Sequence, residues 1–221
     1  MALGTAKGAL GGAVWGALSA LVDTDGSARM PAAARLADRR VAMRDLTDAI
    51  HCLCLLHGRH PGVIDHAATQ ARDATASAWL AEAVEGFAAE RAYIVRLVAA
   101  MGPLPSTPGQ AESESAIAAQ RHALAMLAAS ERPGCAIGAA MALVLDWSAV
   151  RNVLDNSAER IGVAPPALRL PSTEESATVL GALAATPGYE RAAMFGAQQT
   201  LAQHRGLWAL LEARTAARDR V

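Results

Sequence analysis

Four of the six histidines and two of the three cysteines fall in one stretch, His51-Cys-Leu-Cys-Leu-Leu-His57-Gly-Arg-His60-Pro-Gly-Val-Ile-Asp-His66. Imidazole and thiol are the side chains that titrate or bind metal most readily near neutral pH. The Gly-Arg-His-Pro-Gly segment is also helix-stop and turn language, so the stretch is expected to join two helices. A helical projection divides its residues. Cys54 and His57 fall on an inner stripe, whereas Asp48 and His51 share the opposite, polar face with Arg40 and Arg44. His60 belongs to the turn and His66 to the first turns of the next helix. Asp48-x-x-His51 has the spacing of half a di-iron carboxylate motif but points away from the stripe. With alternating helices, Cys135 begins its own helix at the same end. Cys54, His57 and Cys135 are therefore candidate ligand-binding residues. No C-x-x-C is present and Cys52 and Cys54 diverge around the helix, so no metal ligands are assigned.

A second pair lies far apart in the chain. Met194, Ala197, Leu201, His204, Trp208 and Leu211 repeat at three-four spacing, which puts His204 in the middle of an apolar stripe. Asp146 shares a face with Cys135, Ala139, Ala142, Val150 and Val153, opposite a charged face of Arg151, Asp155 and Glu159. It is the only charge between Gly134 and Val150. An ionised carboxylate there is costly unless it is paired, hydrogen-bonded or raised in pKa. At about 1.5 Å per residue, Asp146 lies roughly 20 Å and His204 roughly 25 Å from the starts of their helices. If both helices begin at one end, the two residues sit at similar depth. Asp146 and His204 are accordingly the candidate acid–base residues. The competing reading is a structural pair, or partners drawn from Glu90 or Arg91. Glu90, Arg91 and Trp208 complete the candidate ligand contacts. Cys135 as a nucleophile has no histidine fixed beside it by sequence. His122 lies nearly opposite Ile117, Leu124 and Leu127 and should be exposed.

The elements that position these residues are helices. Gly4, Gly8, Gly12 and Gly16 put a bare face on a short first helix that ends near Val22, followed by a loop over Asp23 to Met30. Pro31 opens a helix to about His57. The next runs from Pro61 to about Met101, with a break near Asp73 to Ser77. Thr107-Pro-Gly-Gln110 caps a third helix to about Ser130. A fourth covers Pro133 to Arg160, where Gly134-x-x-x-Gly138 suggests close approach to a neighbour. After a linker at Pro165-Pro166, Ser172-Thr-Glu-Glu175 caps a short helix and Thr186-Pro187 caps the last. The expected fold is all-α: an antiparallel helical bundle of about six or seven helices with a four- or five-helix core. It is expected as a single domain over 1–221, comprising 1–30, four long helices in 31–160, a linker 161–171, and 172–221.

Composition narrows the function classes. Hydrophobic residues make up 52% and aromatics 4%, a balance that favours close-packed helices over sheets. With 20 Lys+Arg against 21 Asp+Glu there is no basic field for nucleic acid or for an acidic membrane surface. The odd cysteine count points to a reducing, cytoplasmic location. The apolar run from Gly8 to Val22 is too short to span a bilayer.

Several segments together carry a resemblance: His57-Gly-Arg-His-Pro-Gly-Val-Ile-Asp-His66, Gly102-Pro-Leu-Pro-Ser-Thr-Pro-Gly-Gln-Ala-Glu112, Gly134-Cys-Ala-Ile-Gly138, and Gln198 to Trp208. The chain resembles an uncharacterised family of sphingomonad bacteria, a domain of unknown function, over most of residues 31–215. That resemblance implies no activity, cofactor or site. The length and order of the helices are also similar to ferritin-like and haem-oxygenase-like bundles, although no Glu-x-x-His occurs in the chain. The leading expectation is a bundle that binds a small-molecule ligand in its core between Asp146 and His204. One alternative is metal-dependent, di-iron-like oxidation, with iron or manganese on Asp146, His204 and Glu90. Another is a non-catalytic interaction protein that forms a homodimer through the glycine face of residues 4–16 or the apolar ends of the bundle. No cofactor is assigned.

Overall fold

The computed structural model describes residues 2–104, 109–184 and 186–220, with the backbone alone for 2–11. Among the described residues there are nine α-helices and no strand. They are α1 (Ala2–Asp25), α2 (Pro31–Leu36), α3 (Met43–His57), α4 (Val63–Gln70), α5 (Ala74–Met101), α6 (Gln110–Ala128), α7 (Cys135–Ile161), α8 (Thr173–Leu183) and α9 (Pro187–Arg218), with a 3-10 turn at Ser27–Arg29. The all-α expectation is met.

Local chemistry explains most of the boundaries. The Asp73 carboxylate accepts from the N–H groups of Thr75 and Ala76 and starts α5, which produces the break expected near that position. Ser172 and Glu175 form a reciprocal capping box at α8. Thr186 caps α9 through Tyr189 N–H at 3.2 Å. Gly162, at φ 72°, closes α7 in the left-handed region. The Thr107-Pro108 start expected for α6 lies outside the described residues.

Two boundaries differ from expectation. The segment Pro31 to His57 is not one helix: α2 stops at Leu36 and α3 begins at Met43. Asn156 of α7 explains the stop, because its side-chain amide donates to the carbonyls of Leu36 at 2.8 Å and Asp38 at 3.0 Å. Backbone acceptors freed at the end of α2 are thus satisfied from another helix. At the other end, α1 continues to Asp25 and the expected loop carries the 3-10 turn. Gly12 and Gly16 are exposed, and a methyl group on either would meet nothing within 4 Å. At these two positions the bare glycine face is not packed against the rest of the chain.

The most buried helix is α7, which packs against α1 to α6 (α1, α2, α3, α4, α5, α6), α9 and the 3-10 turn. By length and composition it could cross a membrane, but 78% of its apolar window is buried inside the fold. Its glycines allow the close approach suggested by Gly134-x-x-x-Gly138, and the neighbour is α9. A methyl on Gly138 would lie 2.1 Å from the Ala193 carbonyl oxygen, and one on Gly196 would lie 2.1 Å from that of Cys135. The contacts run Gly138–Ala193, Cys135–Gly196 and Asp146–His204. Because α8 makes the return, α7 and α9 run parallel, the arrangement that brings Asp146 and His204 to one depth.

Asp48 also departs from expectation. Rather than facing solvent with Arg40 and Arg44, it is buried and paired with Arg214 and Arg218 of α9. Beside it, Asp45 binds Arg35 and Arg218 at 2.8 and 2.6 Å. These ion pairs fasten the end of α9 to α3. The helical projection treated α3 as having one buried face, whereas α9 covers a second.

Candidate functional site

Asp146 and His204 meet. The Nδ1 of His204 is 2.6 Å from Oδ2 of Asp146, and the two residues are 1% and 2% exposed. A carboxylate is acceptor-only, so Nδ1 carries the hydrogen and donates. Ser27 supplies two further donors, its N–H to Oδ1 at 2.6 Å and its hydroxyl to Oδ2 at 2.5 Å. Burial alone would raise the Asp146 pKa, but hydrogen bonds from His204 and Ser27 outweigh it and hold the carboxyl below its ordinary value. The carboxylate is therefore ionised at neutral pH.

A second imidazole extends the pair. Nε2 of His57 lies 2.9 Å from Nε2 of His204, with the rings nearly perpendicular. The side chains form a line, Asp146–His204–His57, drawn from α7, α9 and the end of α3. Phe87 and Trp147 pack edge-on to His57, with centroids at 6.1 and 5.4 Å. Burial against these rings, reinforced by His204 and Arg91, depresses the His57 pKa well below 6.5. His57 is therefore neutral at pH 7. With His204 donating to Asp146, the neutral arrangement has His57 donate its Nε2–H to the bare Nε2 of His204. That leaves Nδ1 of His57 with a free lone pair.

His57 is also the member of this line that lines a cavity. The cavity has a volume of about 50 Å³, between the 58–62 turn, α4, α5, α6 and α7. Arg59, His66, Phe87, Arg121 and Leu143 share its wall. A larger groove of about 730 Å³ lies between Arg72, Arg132, Ile137 and Tyr189, but its ionisable residues are exposed or half-buried. The chemistry concentrates at the smaller one.

The depressed His57 pKa has a measurable consequence for folding. Between its folded and unfolded pKa values the unfolded chain binds a proton that the folded chain does not. Stability should then fall as pH drops below about 6.5, by up to about 1.4 kcal/mol per pH unit from this residue. Urea unfolding at pH 7, 6 and 5 should show a shallower decline in His57→Phe than in the wild type. Identical slopes would contradict a buried neutral His57.

The other sequence candidates sit elsewhere. Glu90 is fully buried and accepts from Trp147 Nε1 at 2.9 Å and Arg151 Nη1 at 2.7 Å. Arg151, expected on an exposed face, is buried by this pair and by the linker, whose Pro166 carbonyl it also bonds. Arg91 forms a two-pronged pair with Asp65, which also accepts from Gly62 N–H and so braces the turn after His57. Neither Glu90 nor Arg91 bonds Asp146 or His204. Trp208 does reach the network, donating its indole N–H to the Ser27 hydroxyl at 2.8 Å.

The expected Cys54, His57 and Cys135 grouping does not form. Cys135 lies beside Gly196, 11 residues and about 16 Å along α7 from Asp146. Cys54 is only half-buried while Cys52 is buried, the reverse of the projected stripe. Burial raises both thiols, Cys52 to about 12 with Asp48 adding to the effect, so neither is a thiolate. Among the described residues no three His, Cys, Asp or Glu side chains gather so as to hold a metal ion. The ligand set of Asp146, His204 and Glu90 is therefore not assembled. His122 is exposed, as expected.

Sequence reasoning missed Ser27. It sits in a segment expected to be a plain loop, and its one local signal is Gly26, where a methyl group would fall 2.7 Å from Oδ1 of Asp146. Ser27 is not a serine nucleophile. Its hydroxyl is fully buried, donates to the aspartate and accepts from Trp208. In a serine triad the histidine stands between serine and aspartate; here the aspartate stands between the other two.

A family model described as "Family of unknown function (DUF6975)" matches residues 22–219. The comparisons with curated proteins and with solved structures gave no match.

Proposed function

The chain belongs to the family of unknown function DUF6975, and we propose that it binds a small molecule in the cavity beside His57 and exchanges a proton with it. The observation that carries this reading is the unbroken line from Asp146 through His204 to a ring on the cavity wall, at 2.6 and 2.9 Å. A purely structural carboxylate–imidazole pair is complete without a second ring.

The exchange follows from the hydrogen positions. A proton taken up at Nδ1 of His57 allows its Nε2–H to pass to Nε2 of His204. His204 then donates from both ring nitrogens, and the Asp146 carboxylate balances the imidazolium. The reverse sequence returns the proton to the ligand. Only N–H bonds and the bond to the ligand's proton change, and the charge gained is held in the core rather than at the cavity. This is general acid–base chemistry with a buried reservoir.

The test is calorimetric binding of anionic, cationic and neutral compounds of up to about four heavy atoms, a size set by the cavity. Each is run in two buffers of different ionisation enthalpy. Proton exchange linked to binding is expected in the wild type, and its loss in His57→Phe. Compounds that bind both proteins alike, or bind without proton exchange, would contradict the proposal.

A further inference from the structure

We infer that the ligand of this cavity is a small carboxylate, bound through its oxygens by Arg121 and Arg59 while His57 faces its exchangeable proton. The inference rests on the proton-exchange reading above and adds the chemical class. Its first support is the character of the wall. The ionisable residues lining the cavity are His57, Arg59, His66 and Arg121, and none is acidic.

The second support is how these groups are engaged. Elsewhere in the fold the buried arginines are matched. Arg91 holds Asp65 at 2.8 Å and Arg151 holds Glu90 at 2.7 Å. At the cavity the pattern changes. Half-buried Arg121 has one long hydrogen bond, 3.4 Å to the Leu55 carbonyl, and among the described residues no carboxylate lies within ion-pair distance of Arg59, His66 or Arg121. Asp65, which accepts from the Gly62 N–H on this side, is occupied by Arg91 and lies 3.6 Å from His60 Nε2. The cavity wall is therefore cationic, and an incoming anion meets donors that no protein carboxylate already occupies. A guanidinium suits a carboxylate because its planar donors match two oxygens at once.

Size sets the third limit. A volume of about 50 Å³ admits roughly four water-sized spheres, hence an acid of only a few heavy atoms. Phe87 and Leu143 supply an apolar wall for its carbon. The neutral acid in equilibrium with that anion brings a proton that can pass to Nδ1 of His57, which leaves the same carboxylate held against the arginines. One O–H bond breaks, one N–H bond forms, and the Nε2–H of His57 moves on to His204.

The test uses acetate, with acetamide as an isosteric neutral probe and methylammonium as a smaller cationic one. Binding is followed by the ¹⁵N shifts of the His57 ring and the Arg121 guanidinium. Acetate should saturate in the millimolar range and shift both groups. Arg121→Gln should weaken it at least tenfold, with partial rescue in Arg121→Lys and a smaller loss in Arg59→Gln. Among the described residues Arg121 has no partner beyond the long bond to the Leu55 carbonyl, so these variants should fold normally. Saturation by acetamide as tight as by acetate, an unaffected Arg121→Gln, or no saturation by acetate would each overturn the inference. If acetamide or methylammonium binds with proton exchange that requires His57, the carboxylate assignment falls and the proton-exchange reading stands. If none of the three probes binds with proton exchange, both fall.

Discussion

Replacing Asp146 with alanine should lower the free energy of unfolding by about 3–5 kcal/mol at pH 7. The substitution strands three donors at once: the Ser27 N–H, the Ser27 hydroxyl and the Nδ1–H of His204, all in a site under 3% exposed. Each buried unsatisfied donor costs about 1–3 kcal/mol, and a methyl group restores none of them. The pH dependence has a definite sign. Because the folded carboxyl titrates below its ordinary value, its stabilising contribution is present above the unfolded pKa and is lost as pH falls through the lower, folded one. The difference between wild type and Asp146→Ala should therefore be flat from about pH 5 upward. Asp146→Asn separates packing from proton chemistry. Its amide can keep one oxygen on a Ser27 donor but turns an N–H₂ toward Nδ1 of His204. His204 must then carry its hydrogen on Nε2, and His57 must move its own to Nδ1 to keep the 2.9 Å contact. A milder loss of stability with reversed tautomers at both histidines is expected, read by urea unfolding and by histidine ¹⁵N shifts. A loss below about 1 kcal/mol in the alanine variant would contradict the role given to Asp146.

Gly138→Ala should destabilise the protein by about 2–3 kcal/mol, although alanine favours a helix over glycine by about 1 kcal/mol. Contact decides the sign. The added methyl would sit 2.1 Å from a backbone carbonyl, Ala193 O, and 2.6 Å from the Ala193 Cα. Backbone cannot rotate away as a flexible side chain could, so α9 must move outward. Since α7 and α9 are parallel and Asp146 faces His204 across the same seam, the shift lengthens the 2.6 Å contact. The His57 ring should then lose its partner without any change in the site residues themselves. Gly181→Ala in α8 is the control. Its methyl meets nothing within 4 Å, so alanine there should be neutral or stabilise by up to about 1 kcal/mol. Equal effects at both positions would sink the packing argument.

What could be read from the chain depended on how locally it was encoded. Helices capped by their own residues, such as Ser172 with Glu175 and Thr186 with Tyr189, were legible because donor and acceptor are three residues apart. Asp146 and His204 were legible because a lone charge and a lone imidazole on apolar stripes must find partners, and the alternation of helices put them at one depth. The split between α2 and α3 was not, because its cause is Asn156, about 120 residues away in sequence. Asp48 was misplaced for a similar reason. A helical projection shows which residues share a face but not how many faces are covered, and α9 covers a second face of α3. Ser27 gave no signal beyond the neighbouring Gly26: a serine in a polar loop is ordinary until the turn is seen folded beneath a carboxylate. The histidine cluster misled by proximity. Of its four imidazoles only His57 joins the buried line, and its partner came from α9 rather than from a neighbouring cysteine.

Selective ¹⁵N labelling of the histidines tests the proton line most directly. In the wild type at pH 7, His204 should be protonated at Nδ1 and His57 at Nε2, with a resolved, strongly shifted proton between the two Nε2 atoms. As pH is lowered, the bare Nδ1 of His57 and the Nε2 of His204 should respond together, because a proton gained at the first is passed to the second. A His57 ring that titrates like a free imidazole near pH 6.5, with no change at His204, would contradict the account.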